Sequence, residues 1–235
     1  VALKSDDSLW AWGSNWDNQL SENSYNEQLI PKQILTNSSI TEVSISSSFI
    51  LALKSDGSLL AGGRNEVGQY GNGSVLGNTF PKLVFDASPK MEIIRALKIS
   101  AGKNNTLEIK SDGSLWAWGD NYRGQLGDGT ITNSLIPKQI IDNVIAISAG
   151  YNHTLAIKSD GSLWAWGDNS CGQLGDGTTT NSLTPKQIIN DIIAISVGAY
   201  HTVALKSDGS LWAWGDNSCG QLGDCTTTNS LIPKQ

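Results

Sequence analysis

The chain has 235 residues, 39% of them hydrophobic, with 25 glycines and nine tryptophans, enough apolar material for the core of one all-β domain. Sixteen basic residues against 22 acidic ones give a formal net charge of −6, and with no lysine cluster the basic footprint that binds nucleic acid is missing. No run of about 18 apolar residues is present, so no membrane span is expected.

Along the chain one phrase recurs: K-S-D-G-S-L-W-A-W-G-D-N, then G-Q-L-G-D-G, then I-P-K-Q. Its lysine falls at Lys4, Lys54, Lys110, Lys158 and Lys206, spaced by 50, 56, 48 and 48 residues, and a proline follows each by 27, at Pro31, Pro81, Pro137, Pro185 and Pro233. A period near 50 that fills a chain means one supersecondary unit copied several times. All length variation lies between the proline and the next lysine, where the second unit carries eight residues more than the third, within Leu83–Ala101. Such an insertion maps to a loop, read either as a tolerated surface excursion or as part of a binding face.

Each unit reads as short strands with turn punctuation, as the fourth illustrates. Ile145–Ser148 and Thr154–Lys158 are rich in β-branched and apolar residues and are broken by Ala149-Gly150-Tyr151-Asn152, which predicts two strands and a turn. Ser159-Asp160-Gly161-Ser162 carries the D-G hairpin signal, in which glycine accepts the positive φ of a primed turn. Leu163–Gly167 is the next strand, with Trp164 and Trp166 on one face and Leu163 and Ala165 on the other. Beyond it the glycines predict compact loop with at most one further short strand, and Pro185 begins the passage to the next unit.

Units of three or four antiparallel strands with apolar residues on both faces must sandwich against copies of themselves, and the radial solution is a β-propeller. A linear β-solenoid, the main competitor, would have shorter coils and no need of a D-G hairpin in every unit. The G-Q-L-G of Gly124–Gly127 and Gly172–Gly175, the Trp118-Gly119 pair and the S-A-G-x-x-H-T of Ser148–Thr154 resemble the repeat of the RCC1 family, the regulator-of-chromosome-condensation propellers. The L-W-A-W-G wording is similar to bacterial members described as alpha-tubulin-suppressor-like RCC1 proteins. The resemblance implies blades of about 50 residues, usually seven to a ring, whereas five headers stand here. Joining the ends into a ring would omit the 15 residues equivalent to Ile188–Thr202. The expected reading is a piece of a longer propeller; the alternative is a five-repeat arc whose open blade edges self-associate.

No residue set suggests catalysis, a cofactor or a metal. His153 and His201 stand in equivalent slots where Phe49 and Asn105 stand elsewhere, which favours a structural ring over a general base. Asp168, Asp176, Asp216 and Asp224 lie in Gly/Asn-rich loops with too few close carboxylates for calcium, and read as turn residues. Cys171, Cys219 and Cys225 are read as free thiols, with a Cys219–Cys225 bridge as the alternative. The tryptophan pairs read as packing between blades, and the second unit, with Leu60 and Gly62 instead, is expected to pack weakly or to face something else. One family member, the plant ultraviolet receptor, senses light through a G-W-R-H-T motif; the corresponding positions here read G-Y-N-H-T and G-A-Y-H-T, so that role is not carried over.

The expected function is therefore a non-enzymatic protein-interaction scaffold. Its contacts are sought where the phrase diverges: Trp16, Phe49, Glu66 and Val67, and Phe85, Asp86, Lys90 and Arg95 in the inserted stretch. The resemblance implies one alternative, a guanine-nucleotide exchange factor for a small GTPase. The near-identity of the later repeats suggests another, a self-associating structural array.

Overall fold

The computed structural model describes residues 1–20, 26–36, 39–85 and 96–235. The first sheet is three-stranded: β1 (Ala2–Leu3), β2 (Leu9–Gly13) and β3 (Gln28–Leu35). Four four-stranded meanders follow: β4 (Ile40–Ile45) to β7 (Asn78–Phe85) through β5 (Phe49–Lys54) and β6 (Leu59–Gly63), and β8 (Ala96–Ala101) to β11 (Ser134–Ile141) through β9 (Asn105–Lys110) and β10 (Leu115–Gly119). Then come β12 (Val144–Ala149), β13 (His153–Lys158), β14 (Leu163–Gly167) and β15 (Ser182–Ile189), and β16 (Ile192–Val197), β17 (His201–Lys206), β18 (Leu211–Gly215) and β19 (Ser230–Lys234). All pairings are antiparallel, and the first strands β4, β8, β12 and β16 adjoin one another from sheet to sheet. The sheets are propeller blades whose first strands are innermost and whose last are outermost.

The core lies between blades, not within them. Leu163 and Ala165 on one face of β14 pack with Ile192, Ala204 and Trp214 of the fifth blade, while Trp166 on the opposite face packs with Leu107, Leu115 and Leu126 of the third. The two-residue alternation of a pleated strand thus serves two junctions at once. Trp118, Trp166 and Trp214 are fully buried this way. Their companions Trp116, Trp164 and Trp212 are only half-buried and lie under the ammonium groups of Lys110, Lys158 and Lys206, 3.7, 4.4 and 4.9 Å from the ring centres.

Three expectations change. The fourth strand is eight residues long in the second to fourth blades and five in the fifth, and it includes the proline, which an outermost strand tolerates because its outer N–H positions bond no neighbour. A bulge opposite Trp166, between Lys186 and Ser182, takes up Pro185. The hairpin is a three-residue loop, not a two-residue primed turn: Gly161 N–H donates to Lys158 O at 2.9 Å, and of the three loop residues only Gly161 has positive φ, at 80°. Its side chains form a relay. Asp160 accepts from Ser162 Oγ at 2.6 Å, and Ser162 Oγ accepts from Trp164 Nε1 at 2.9 Å. The second blade, finally, is not weakly packed. Phe80, 2% exposed, turns into the place of the missing indole, and a Cβ on Gly62 would lie 2.2 Å from Phe80 Cβ. With no indole above it, Lys54 pairs with Asp56 at 3.1 Å.

Candidate partner-binding surface

The turns between first and second strands converge at one mouth of the channel. Ser46-Ser47, Gly102-Lys103, Gly150-Tyr151 and Gly198-Ala199 line a cavity of about 310 Å³ there. Adjacent turns are stitched together, Ser46 Oγ donating to Lys103 O at 3.3 Å and Lys103 N–H to Gly150 O at 3.2 Å. Lys103 Nζ lies 3.9 Å from the ring centre of Tyr151, and Tyr151 packs at 5.8 Å and 45° against Tyr200, itself 38% exposed. A cation and two aromatic rings in a row, each from a different blade, give a surface able to bury apolar area and to meet an acidic group. Sequence reasoning passed over Lys103, Tyr151 and Tyr200, although the signal was present. They occupy two adjacent positions of the turn that change from repeat to repeat, Ser47, Lys103, Tyr151 and Ala199 in one and Ser48, Asn104, Asn152 and Tyr200 in the next.

The positions flanking this row are structural. His153 is fully buried, and Thr202 Oγ1 stands 3.3 Å from its Nε2. The hydroxyl proton of Thr202 goes to Gln173 O at 2.8 Å, so Nε2 carries the ring proton and Thr202 accepts it. Desolvation, opposed by Asp168 and reinforced by His201, holds the ring down at about 4. A buried neutral imidazole with its proton committed is a packing group.

The same end of the blades carries the long loops between third and fourth strands, each built around an asparagine. In the fourth blade Asn169 Oδ1 accepts from Leu174 N–H at 2.9 Å, while Nδ2 donates to Thr178 O, Thr180 O and Asp176 Oδ1 at 3.0 to 3.1 Å. Asp176 also accepts from Lys186 Nζ at 2.6 Å. Partial burial alone would raise its pKa, but the bonds from Lys186, Thr178 and Asn169 outweigh that and hold the carboxyl at about 2. These oxygens are occupied by the protein's own donors. Among the described residues no three His, Cys, Asp or Glu side chains come together, and the cysteines are free.

The eight residues singled out from sequence do not form one surface. Trp16, 68% exposed, lines a separate cavity of about 280 Å³ with Asp17, Asn78 and Thr79. Glu66 is exposed and paired with Arg64, and Val67 is half-buried beside it, both in a long loop at the mouth end. Phe49 is withdrawn as a partner contact, because it is wholly buried against Leu51, Tyr70 and Trp118. The backbone of Phe85 pairs with Leu59 at the hairpin end, opposite the mouth. Asp86, Lys90 and Arg95 lie outside the described residues.

A family model described as the RCC1-like domain matches residues 1–235. Among curated relatives, the human E3 ubiquitin-protein ligase HERC2 is 30% identical over 137 residues, 57% of this chain and 3% of that protein. The Arabidopsis thaliana ultraviolet-B receptor UVR8 is 32% identical over 133 residues, 56% of this chain and 29% of the receptor. The matched segments thus span 3% and 29% of those relatives' own lengths. Among solved structures, human WBSCR16 superposes with a TM-score of 0.83 at 21% identity, covering 99% of this chain and 63% of that one. Saccharomyces cerevisiae Prp20, described with its binding to Gsp1p and histones, gives 0.83 at 20% identity over 97% of this chain and 58% of Prp20. At those identities the likeness establishes the fold.

Proposed function

The chain belongs to the RCC1-like domain family, and from that premise we propose that it is a non-enzymatic protein-binding scaffold whose partner sits on the channel mouth. The observation that carries this reading is the row Lys103, Tyr151 and Tyr200: each blade keeps its buried framework but presents a different residue at the rim. Rims and faces of propellers are where blades differ without cost to the core. The description of Prp20, a structural neighbour, in terms of protein ligands supports the same class of role.

The test compares the wild-type chain with a Lys103→Glu, Tyr151→Ala double variant as bait. A protein held by the wild type should be retained at least about tenfold less by the variant, with sheet content unchanged. Equal retention by both would remove the mouth as the binding face. The second reading, nucleotide exchange on a small GTPase, draws on the neighbour's binding to Gsp1p. It requires faster nucleotide release from a GTPase in the presence of this chain.

A further inference from the structure

Three junctions between neighbouring blades share one device. The indole of the later blade lies on the second glycine of a cradle, the earlier blade's G-Q-x-G loop: a Cβ there would stand 2.7 Å from Trp118 Nε1 at Gly71, and 2.6 Å from Trp166 and Trp214 Nε1 at Gly127 and Gly175. A leucine covers the first glycine, with Leu135, Leu183 and Leu231 Cδ2 at 2.4, 2.5 and 2.4 Å from a Cβ on Gly68, Gly124 and Gly172. The carbonyl between the glycines, on Gln69, Gln125 or Gln173, accepts the indole N–H at 2.9 to 3.0 Å. The junction between the first two blades has Asn18 and Ser21 in place of the glycines, and Gly62 and Thr79 in place of tryptophan and leucine. Phe80 refills the place of the indole. Where Asn18 faces Thr79, in the place of glycine and leucine, there is instead the cavity of about 280 Å³ that Trp16, Asp17 and Asn78 also line.

Both walls of this cleft lie within the chain, Trp16 to Asn18 on the first blade and Asn78-Thr79 on the second. Trp16 is 68% exposed, and that exposure belongs to its place in the loop, since Tyr122, at the same repeat position with a blade on either side, is 70% exposed. Beside Tyr122, however, the corresponding space is taken by Leu183 over Gly124. An exposed ring next to a cleft is therefore particular to the first junction. The polar groups around it both accept and donate. Asp17 offers carboxylate oxygens, Thr79 a hydroxyl, and Asn78, whose Oδ1 accepts from Lys82 Nζ at 3.1 Å, its Nδ2 donors. Such a set suits ligand hydroxyls, which also do both. Charge narrows the class further. The Asp17 carboxylate opposes an anion, while the Lys82 ammonium beside Asn78 opposes a cation, for which one ring is in any case a poor cage. A neutral, hydroxyl-rich ligand with one flat apolar face fits what is left.

We propose that the cleft between the first two blades binds a neutral pyranose sugar, its apolar C–H face stacked on the Trp16 indole and its hydroxyls bonded to Asp17, Asn78 and Thr79. Threonine in the leucine position serves twice, leaving room and supplying a hydroxyl. The cleft is separate from the channel mouth, and the two sites stand or fall independently.

Saturation-transfer NMR on the whole chain tests this, with the methyl glycosides of glucose, galactose, mannose and N-acetylglucosamine as probes. At least one of them should receive magnetisation from the wild type. That signal should fall at least about tenfold in Trp16→Ala, a substitution of an exposed ring that leaves the core intact. Thr79→Leu, which restores the residue of the other junctions, should abolish it while keeping the sheet content of the wild type. Tyr122→Ala should bind as the wild type does, because a ring without the cleft is not a site. A wild type silent towards all the glycosides would overturn the proposal, as would a signal that survives in Trp16→Ala or in a folded Thr79→Leu chain, or one that Tyr122→Ala reduces equally. Binding of tetramethylammonium in place of the glycosides would make the cleft a cation site and overturn it as well.

Discussion

The junction between the first two blades and the three that follow fill the same space with different residues. In the later junctions an indole crosses from one blade onto glycines of the preceding one, as Trp166 does onto Gly127. In the first, Gly62 leaves the space to Phe80 from its own blade, and the facing loop carries Asn18 where the others carry glycine. Both arrangements bury an aromatic ring to 2% exposure or less. The comparison teaches that the unit of design is the junction. A word on one blade is spelled to match the blade beside it, and either word alone is not a packing solution.

The contrast is most sharply broken with tryptophan. Trp166→Ala should cost about 3–5 kcal/mol in urea unfolding, from the cavity and the lost bond to Gln125 O. Trp12→Ala in the 235-residue chain, at the repeat-equivalent position but 43% exposed there, should cost under about 1 kcal/mol. Equal costs would mean that the indole contributes within its own blade.

Next in size is a pH effect at the buried His153 of the fourth blade. The folded ring of His153 is held at about 4 against an ordinary value of 6.5. Between those values the unfolded chain is protonated and the folded chain is not, so this contribution is complete above pH 6.5 and is lost as pH falls towards 4, by about 3 kcal/mol. His153→Phe, which copies the Phe49 of the second blade, should flatten that part of the stability profile. Asp176, lowered to about 2, acts only at lower pH: its contribution is complete above 3.8 and is lost as pH falls towards 2.

Smaller effects sharpen the cradle itself. Gly127→Ala combines left-handed strain with a clash on Trp166 and should cost about 1–2 kcal/mol more than Gly129→Ala, where a Cβ has room and only the strain remains. Smallest is the lysine over the exposed indole. Lys158→Met should cost about 0.5–1 kcal/mol, whereas Lys54→Met, which loses only an exposed pair with Asp56, should cost under about 0.5 kcal/mol.

Much of the fold was legible because period, turn glycines and alternation are local signals. The split of Leu163 and Ala165 from Trp166 onto opposite faces follows from the pleat alone. The long fourth strand was hidden because Pro185 and its flanking polar residues look like loop, and only the outermost place in the sheet makes them acceptable as strand. Phe80 was invisible for another reason. Its counterparts Ile136 and Ile232 are each 59% exposed, and nothing local says that a phenylalanine there turns inward to cover Gly62. Phe49 shows the limit of reading divergence as function, since a departure from the repeat can equally be a core substitution. Lys103, Tyr151 and Tyr200 are far apart in sequence, and it is the ring of blades that assembles them into one row.

The matching of glycine to tryptophan across a junction is tested most directly by a double-mutant cycle on Gly127→Ala and Trp166→Leu. The smaller side chain should relieve the alanine clash, so the pair should be less destabilised than the sum of the singles by about 1 kcal/mol or more. Additivity within about 0.5 kcal/mol would contradict the account, because the glycine would then serve only its own loop.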